Sequence, residues 1–97
     1  MKDCNIKTRE MFGVEYVYPD GSGSYDIFPS LIEAEEYAKD ENRFSEGCIP
    51  LYIFKSVFNE ERIYFNEDAK AWNYDDFSDT MVDGRLIVNS LNINPYI

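Results

Sequence analysis

The sequence predicts an α+β fold in two layers: an antiparallel sheet of four or five strands with one main helix, at about 31–42, packed on one face. Three observations predict it. Phe12, Val14, Tyr16 and Tyr18 recur with a period of two, the spacing of a half-buried strand. Ser30-Leu31-Ile32-Glu33 has the spacing of a helix capping box. Cys48–Phe58 is strongly apolar and rich in aromatic and β-branched residues, as a central strand covered on both faces requires.

The elements follow in order. After the first strand, Pro19-Asp20-Gly21-Ser22-Gly23-Ser24 supplies turn residues, and Tyr25–Phe28 returns as the second arm of a hairpin. In the capping box, the Ser30 hydroxyl accepts from the Glu33 amide and the Glu33 carboxylate reaches back. Leu31, Ala34, Tyr37 and Ala38 then form a narrow apolar face, and the small alanines suit close packing on a sheet. Leu51, Phe54, Val57 and Phe58 also fit a helical spacing, but β-branched and aromatic residues near Pro50 favour a strand. Asn59-Glu60-Glu61 connects tightly into a short strand, Arg62–Phe65. Asn66–Asp83 is the least regular stretch; Asp75 or Asp76 can cap a short second helix at about 75–82. Gly84 ends it and Arg85–Val88 forms the last strand. With no repeat or linker, residues 1–97 read as a single domain.

Nineteen Asp and Glu stand against nine Lys and Arg, with no His and a formal net charge of −10. The absence of His excludes His-based triads, His metal sites and His pH switches. The excess of acid argues against direct binding of nucleic acid and against docking on anionic membranes. The N-terminal segment has no apolar core of a secretory signal. The longest apolar run, Leu51–Phe54, is far short of the ~20 residues of a membrane helix. Two cysteines, Cys4 and Cys48, are too few for a disulfide scaffold, although a bridge between them stays open. The expected location is cytoplasmic, in a bacterial host cell if the chain is phage-encoded.

The charge falls in two blocks. From Glu15 to Glu46 nine acids face two bases, and from Glu60 to Asp83 eight acids face two. Glu33, Glu36 and Asp40 share one helix face, where Glu36 and Asp40 form a like-charge i, i+4 pair. Asp40 and Glu41 near the helix C-terminus also oppose its dipole. In the second block, Glu67, Asp68, Asp75, Asp76 and Asp79 surround Trp72, Tyr74 and Phe77. Clustered carboxylates can take the place of phosphates before Arg and Lys, and the aromatics Trp72 and Tyr74 can anchor an interface with an acidic rim.

Other chemistry has weaker support. Asp20–Asp26 spaces oxygen side chains like a calcium loop, but Tyr25 stands where Gly is needed and Leu31 where a bidentate Glu is needed. Gly21-Ser22-Gly23 lacks the Lys of a phosphate-binding loop. The acids supply many candidate acid–base pairs and select none. No cofactor, metal site or catalytic residue is expected.

In being short, acidic, aromatic-rich and free of motifs, the chain is similar in type to inhibitors of phages and mobile elements, such as anti-CRISPR and antirestriction proteins. The resemblance is one of character, and no residue carries over. The leading expectation is a non-enzymatic acidic binding protein that docks on a basic, nucleic-acid-binding partner such as a nuclease or defence complex. Its contact residues would be Glu33, Glu36, Asp40, Glu67, Asp68, Trp72, Tyr74, Asp75, Asp76 and Asp79. The alternatives are a small interaction subunit, monomer or homodimer, without mimicry, and a small enzyme or divalent-metal-binding domain.

Overall fold

The computed structural model describes residues 7–40, 44, 47–75, 80–82 and 84–91. Strand β1, Thr8–Val17, and strand β2, Gly23–Phe28, form the expected antiparallel hairpin. Gly21 turns it with φ +90°, a backbone conformation that glycine adopts without strain. Helix α1 spans Leu31–Ala38. Strand β3, Ile49–Asn59, lies inside the sheet, antiparallel to β1. A single 3-10 turn, Glu60–Arg62, leads into β4, Ile63–Asn66, which pairs with β5, Ala71–Tyr74. Strand β6, Leu86–Ser90, closes the main sheet in the order β2-β1-β3-β6.

Helix α1 starts at the expected cap, with the Ser30 hydroxyl accepting from the Glu33 amide, but the Glu33 carboxylate reaches back to the Ser30 hydroxyl, which donates to it, instead of to the Ser30 amide. It ends at Ala38, short of the expected Asn42. The Lys39 and Asp40 amides turn back to the Glu36 and Tyr37 carbonyls three residues earlier, the tightening usual in a last turn. There is no basic residue in that turn, and Lys39 follows it at the C-cap. Asn42 and Glu41 lie outside the described residues.

The two-layer expectation is corrected. Instead of one sheet of four or five strands, a four-stranded sheet carries a separate two-stranded sheet. The reason is the double-sided apolar sequence of the two inner strands. On one face, Val14 and Ile53 pack on Ala34 of α1, with Phe12, Phe28 and Leu31 around them. On the other, Met11, Ile27, Phe54 and Phe58 are buried with Ile63 of β4, and Trp72 and Tyr74 of β5 pack against them. A helix can cover only one face, and burying each such side chain contributes about 1.5–3 kcal/mol. The β4–β5 hairpin therefore supplies a third layer.

The second helix expected over 75–82 falls partly outside the described residues, at 76–79. Its far end is not helical: Met81 bridges to Phe58, and the Val82 amide donates to the Val57 carbonyl. Thr80–Val82 thus runs along the end of β3 beyond β6. Cys48 is buried just before β3, as a small apolar residue would be, and Cys4 lies outside the described residues. Among the described residues no helix is long and apolar enough to cross a membrane.

Candidate functional site

The edge strand β2 is the floor of a concavity between the two covers. Helix α1 covers one face of the sheet and the β4–β5 hairpin the other, so both overhang the β2 edge and leave a groove of about 640 Å³ between them. One wall is acidic, with Glu33, Glu36 and Asp40 from the helix side. The other carries Phe65, Trp72 and the aliphatic Ala69 and Ala71, with Lys70 among them. Asp26, Ile27 and Phe28 form the floor. The size lies in the roughly 300–1,000 Å³ range of ligand sites.

The helix wall is built by local rules. Glu33 is held in the capping box, and Glu36 projects one turn on, exposed. Asp40 lies just past the helix end but still lines the groove. Tyr37 fastens the helix to the floor by donating its hydroxyl to the Asp26 carboxylate. The hairpin wall is set by a side chain: the Asn66 carbonyl oxygen Oδ1 accepts from the Asp68 and Ala69 amides at 3.0 and 3.1 Å, an Asx turn. Lys70 completes the reversal in the left-handed region at φ 55°. The turn sets Trp72 edge-on to Phe65, with centroids 5.7 Å apart. Arg9 lies 4.7 Å over the Trp72 ring, so that ring already holds one cation.

The groove unites part of what the sequence had separated. Glu33, Glu36 and Asp40 of the first acidic block and Trp72 of the second line the same space. Glu67 and Asp68 are exposed in the β4–β5 turn. Tyr74 is engaged inside the molecule: its ring stacks on Tyr25 at 4.7 Å and 9°, and its hydroxyl donates to the Tyr25 carbonyl at 3.0 Å. Asp75 sits 3.8 Å from Arg62, both partly exposed. Asp76 and Asp79 lie outside the described residues. Asp26, Phe28, Phe65, Lys70 and Ala71 also line the groove. The alternation in Tyr25–Phe28 already marked a strand. Phe65 and Trp72 lie opposite each other in the β4–β5 ladder, a pairing legible only if Asn66–Lys70 is first taken as a turn.

Away from the groove, Arg85 makes the most connected polar contact. Its guanidinium meets Glu15 at 2.6 Å and the Tyr52 hydroxyl at 3.0 Å, and lies over the Tyr25 and Phe54 rings. Burial works against its charge, but the bond to Glu15, followed by Tyr52, outweighs this and raises the guanidinium pKa. Among the described residues no group of three or more Cys, Asp or Glu is placed to hold a metal ion.

No family model, curated protein or solved structure matches this chain. The functional reading therefore rests on the groove and its chemistry.

Proposed function

We propose that this protein is a non-enzymatic binding protein whose acidic groove receives a positively charged part of a partner, of the kind that nucleic-acid-binding proteins present to phosphates. One observation carries the reading: carboxylates on α1 and aromatic rings on β4–β5 face the same concavity. Arg is the side chain such a pair of walls suits best, since it donates paired hydrogen bonds to carboxylates in its plane and stacks aromatic rings on its faces. An overall charge of −10 would steer a basic partner toward the site and repel nucleic acid from it. Blocking a nuclease or defence complex, as inhibitors of phages and mobile elements do, is the activity this chemistry would serve.

The test is binding to a basic nuclease over a salt series, with and without competing DNA. Affinity should fall with salt and with DNA. The combined substitutions Glu33→Gln, Glu36→Gln and Asp40→Asn, all in the groove lining, should weaken it at least tenfold. Binding indifferent to salt and to these changes would refute the proposal.

A second reading has its own observation. The edge strand β6 exposes Leu86, Ile87 and Val88 at 58%, 56% and 40%, and an apolar open edge is suited to pairing with another strand. If the protein is instead an interaction subunit, sedimentation in high salt should show a homodimer that Ile87→Lys dissolves.

A further inference from the structure

The four-stranded sheet has two edges, and the fold treats them differently. Helix α1 packs on β1, β2 and β3, and β5 packs on β2, so both covers stand toward the β2 side. The β2 edge is covered at Ile27, which is 1% exposed. Strand β6, at the other edge, is exposed at every residue from Leu86 to Ser90. The ladder shows which of its backbone groups face outward. The Asn59 amide donates to the Thr80 carbonyl at 2.8 Å, and the Val57 carbonyl accepts from the Val82 amide at 2.9 Å. Alternate residues of β3 therefore turn their N–H and C=O to this side, and Lys55 and Ile53 continue the series. Lys55 lies opposite Leu86 and Ile53 opposite Asn89, so these are the bonded pairs. Ile87, opposite Phe54, turns its N–H and C=O away from β3. It is 56% exposed on the outermost strand.

We propose that two copies of this chain pair through β6, antiparallel about a twofold axis at Ile87, joining their four-stranded sheets into one. This rests on the second reading of β6 as a pairing edge and deepens it with a register and a symmetry. Charge points to a second copy as the occupant. Two molecules of net charge −10 repel each other, but Gly84–Ile97 contains no Asp or Glu and a single base, Arg85. That guanidinium is folded onto Glu15 and over the Tyr25 and Phe54 rings, so the strand brings no unpaired charge to the seam. The order of residues is self-complementary. Ile87 exchanges two hydrogen bonds with Ile87 of the second copy, and Leu86 comes opposite Val88 of the second copy, apolar against apolar. Val88 has no opposite residue on β3, and the bulge it makes bends the strand and keeps the seam short, so the dimer should dissociate on dilution. The covered β2 edge offers no second seam, so the assembly closes at two copies. The acidic grooves then stand at the two far margins of the joined sheet, and a basic partner meets two sites instead of one.

Sedimentation equilibrium of the intact protein over a concentration series tests this. A monomer–dimer equilibrium should appear, and salt should shift it toward dimer by screening the repulsion. Binding of a basic partner in the groove should respond to salt in the opposite sense. Ile87→Lys should leave a monomer with unchanged circular dichroism. Hydrogen exchange at the Ile87 amide should slow as protein concentration rises, while the Leu86 amide, already bonded to β3, should change much less. Single cysteines in a Cys4→Ser background, where Cys48 is buried, read the register. Ile87→Cys should form an intermolecular disulfide, because a bonded pair sets its Cα atoms about 5.5 Å apart. Ser90→Cys, three residues from the axis, should not. A monomer at every concentration and salt would overturn this proposal and the interaction-subunit reading together. A dimer that persists in Ile87→Lys, or that Ser90→Cys locks and Ile87→Cys does not, would overturn the axis at Ile87 and leave the subunit reading standing. Growth beyond two copies would overturn the closure.

Discussion

Gly13→Ala should destabilise this protein, although the same change in most strands would help. Gly13 lies in β1 directly opposite Phe54 of β3, and the Phe54 ring folds flat over it. A Cβ at Gly13 would stand 2.5 Å from Cε2 and 2.9 Å from Cε1, with Cζ closer still. The φ of Gly13 is not positive, so Ala meets no backbone strain, and reduced unfolded-chain entropy alone would contribute about 0.4–1 kcal/mol in its favour. The ring, however, cannot move aside freely. Phe54 is fully buried, with Tyr25 edge-on at 5.5 Å, Tyr52 at 6.2 Å and the Arg85 guanidinium 4.5 Å over its face.

Overpacking of this kind costs about 1–3 kcal/mol, and the contacts here place Gly13→Ala at the upper end. For a domain of this size 1 kcal/mol shifts the melting temperature by about 4–8 °C. Urea unfolding should show a lower midpoint with an unchanged slope. A double-mutant cycle isolates the cause. Phe54→Leu should cost stability alone, yet Gly13→Ala should cost much less in that background, a coupling of about 0.5–3 kcal/mol. Unchanged or raised stability of Gly13→Ala, or additive effects in the cycle, would show that the ring does not lie on Gly13.

Three further outcomes follow from particular contacts. Ser30→Ala removes the cap of α1 and should lower stability by about 1 kcal/mol in urea unfolding, with helical circular dichroism reduced before the sheet signal. Arg85→Gln should cost about 1–3 kcal/mol in the same measurement, because it removes the charge that Glu15 faces and the cation over two rings. The Tyr16 hydroxyl, pushed up from 10.0 to about 12 chiefly by burial, stabilises the fold in its neutral form. That contribution is complete below pH 10 and is lost as pH rises from 10 to 12. Alkaline absorbance should therefore show a late-titrating component that Tyr16→Phe removes, together with part of the stability loss in that window.

How much was legible in the sequence depended on whether local rules or long-range pairing decided each element. The β1–β2 hairpin, the start of α1, the interior place of β3 and the last strand all carry their signals in adjacent residues. The end of α1 did not, because the apolar face stops at Ala38 while good helix formers, Lys39 and Glu41, alternate after it with poor ones, Asp40 and Asn42. The β5 strand was missed for a different reason. Ala71-Trp72-Asn73-Tyr74 is too short to show a period, and its turn is made by one side chain, Asn66. Without that strand the cover on the second face is missing, and with it the far wall of the groove. Glu33, Glu36 and Asp40 were therefore identified as a stripe, and Trp72 as an anchor, without any means of placing them together.

The groove follows from the same physics that completes the fold. Two inner strands with apolar residues on both faces demand cover from both sides, and the two covers meet at the β2 edge closely enough to leave Ile27 1% exposed. Helix α1 is only eight residues long and brings its carboxylates to the margin of β2. The β4–β5 hairpin reaches the same margin from beneath with Phe65 and Trp72. Most of that edge is closed by the molecule's own groups, the Tyr74 hydroxyl at one end and Pro29 at the other, as edges that must not aggregate usually are. Ile27, between them, is itself 1% exposed, so the acidic and aromatic walls complete the closing of this edge. The carboxylates that make the groove attractive to a basic partner thus stand on the same margin that the fold closes against strand pairing.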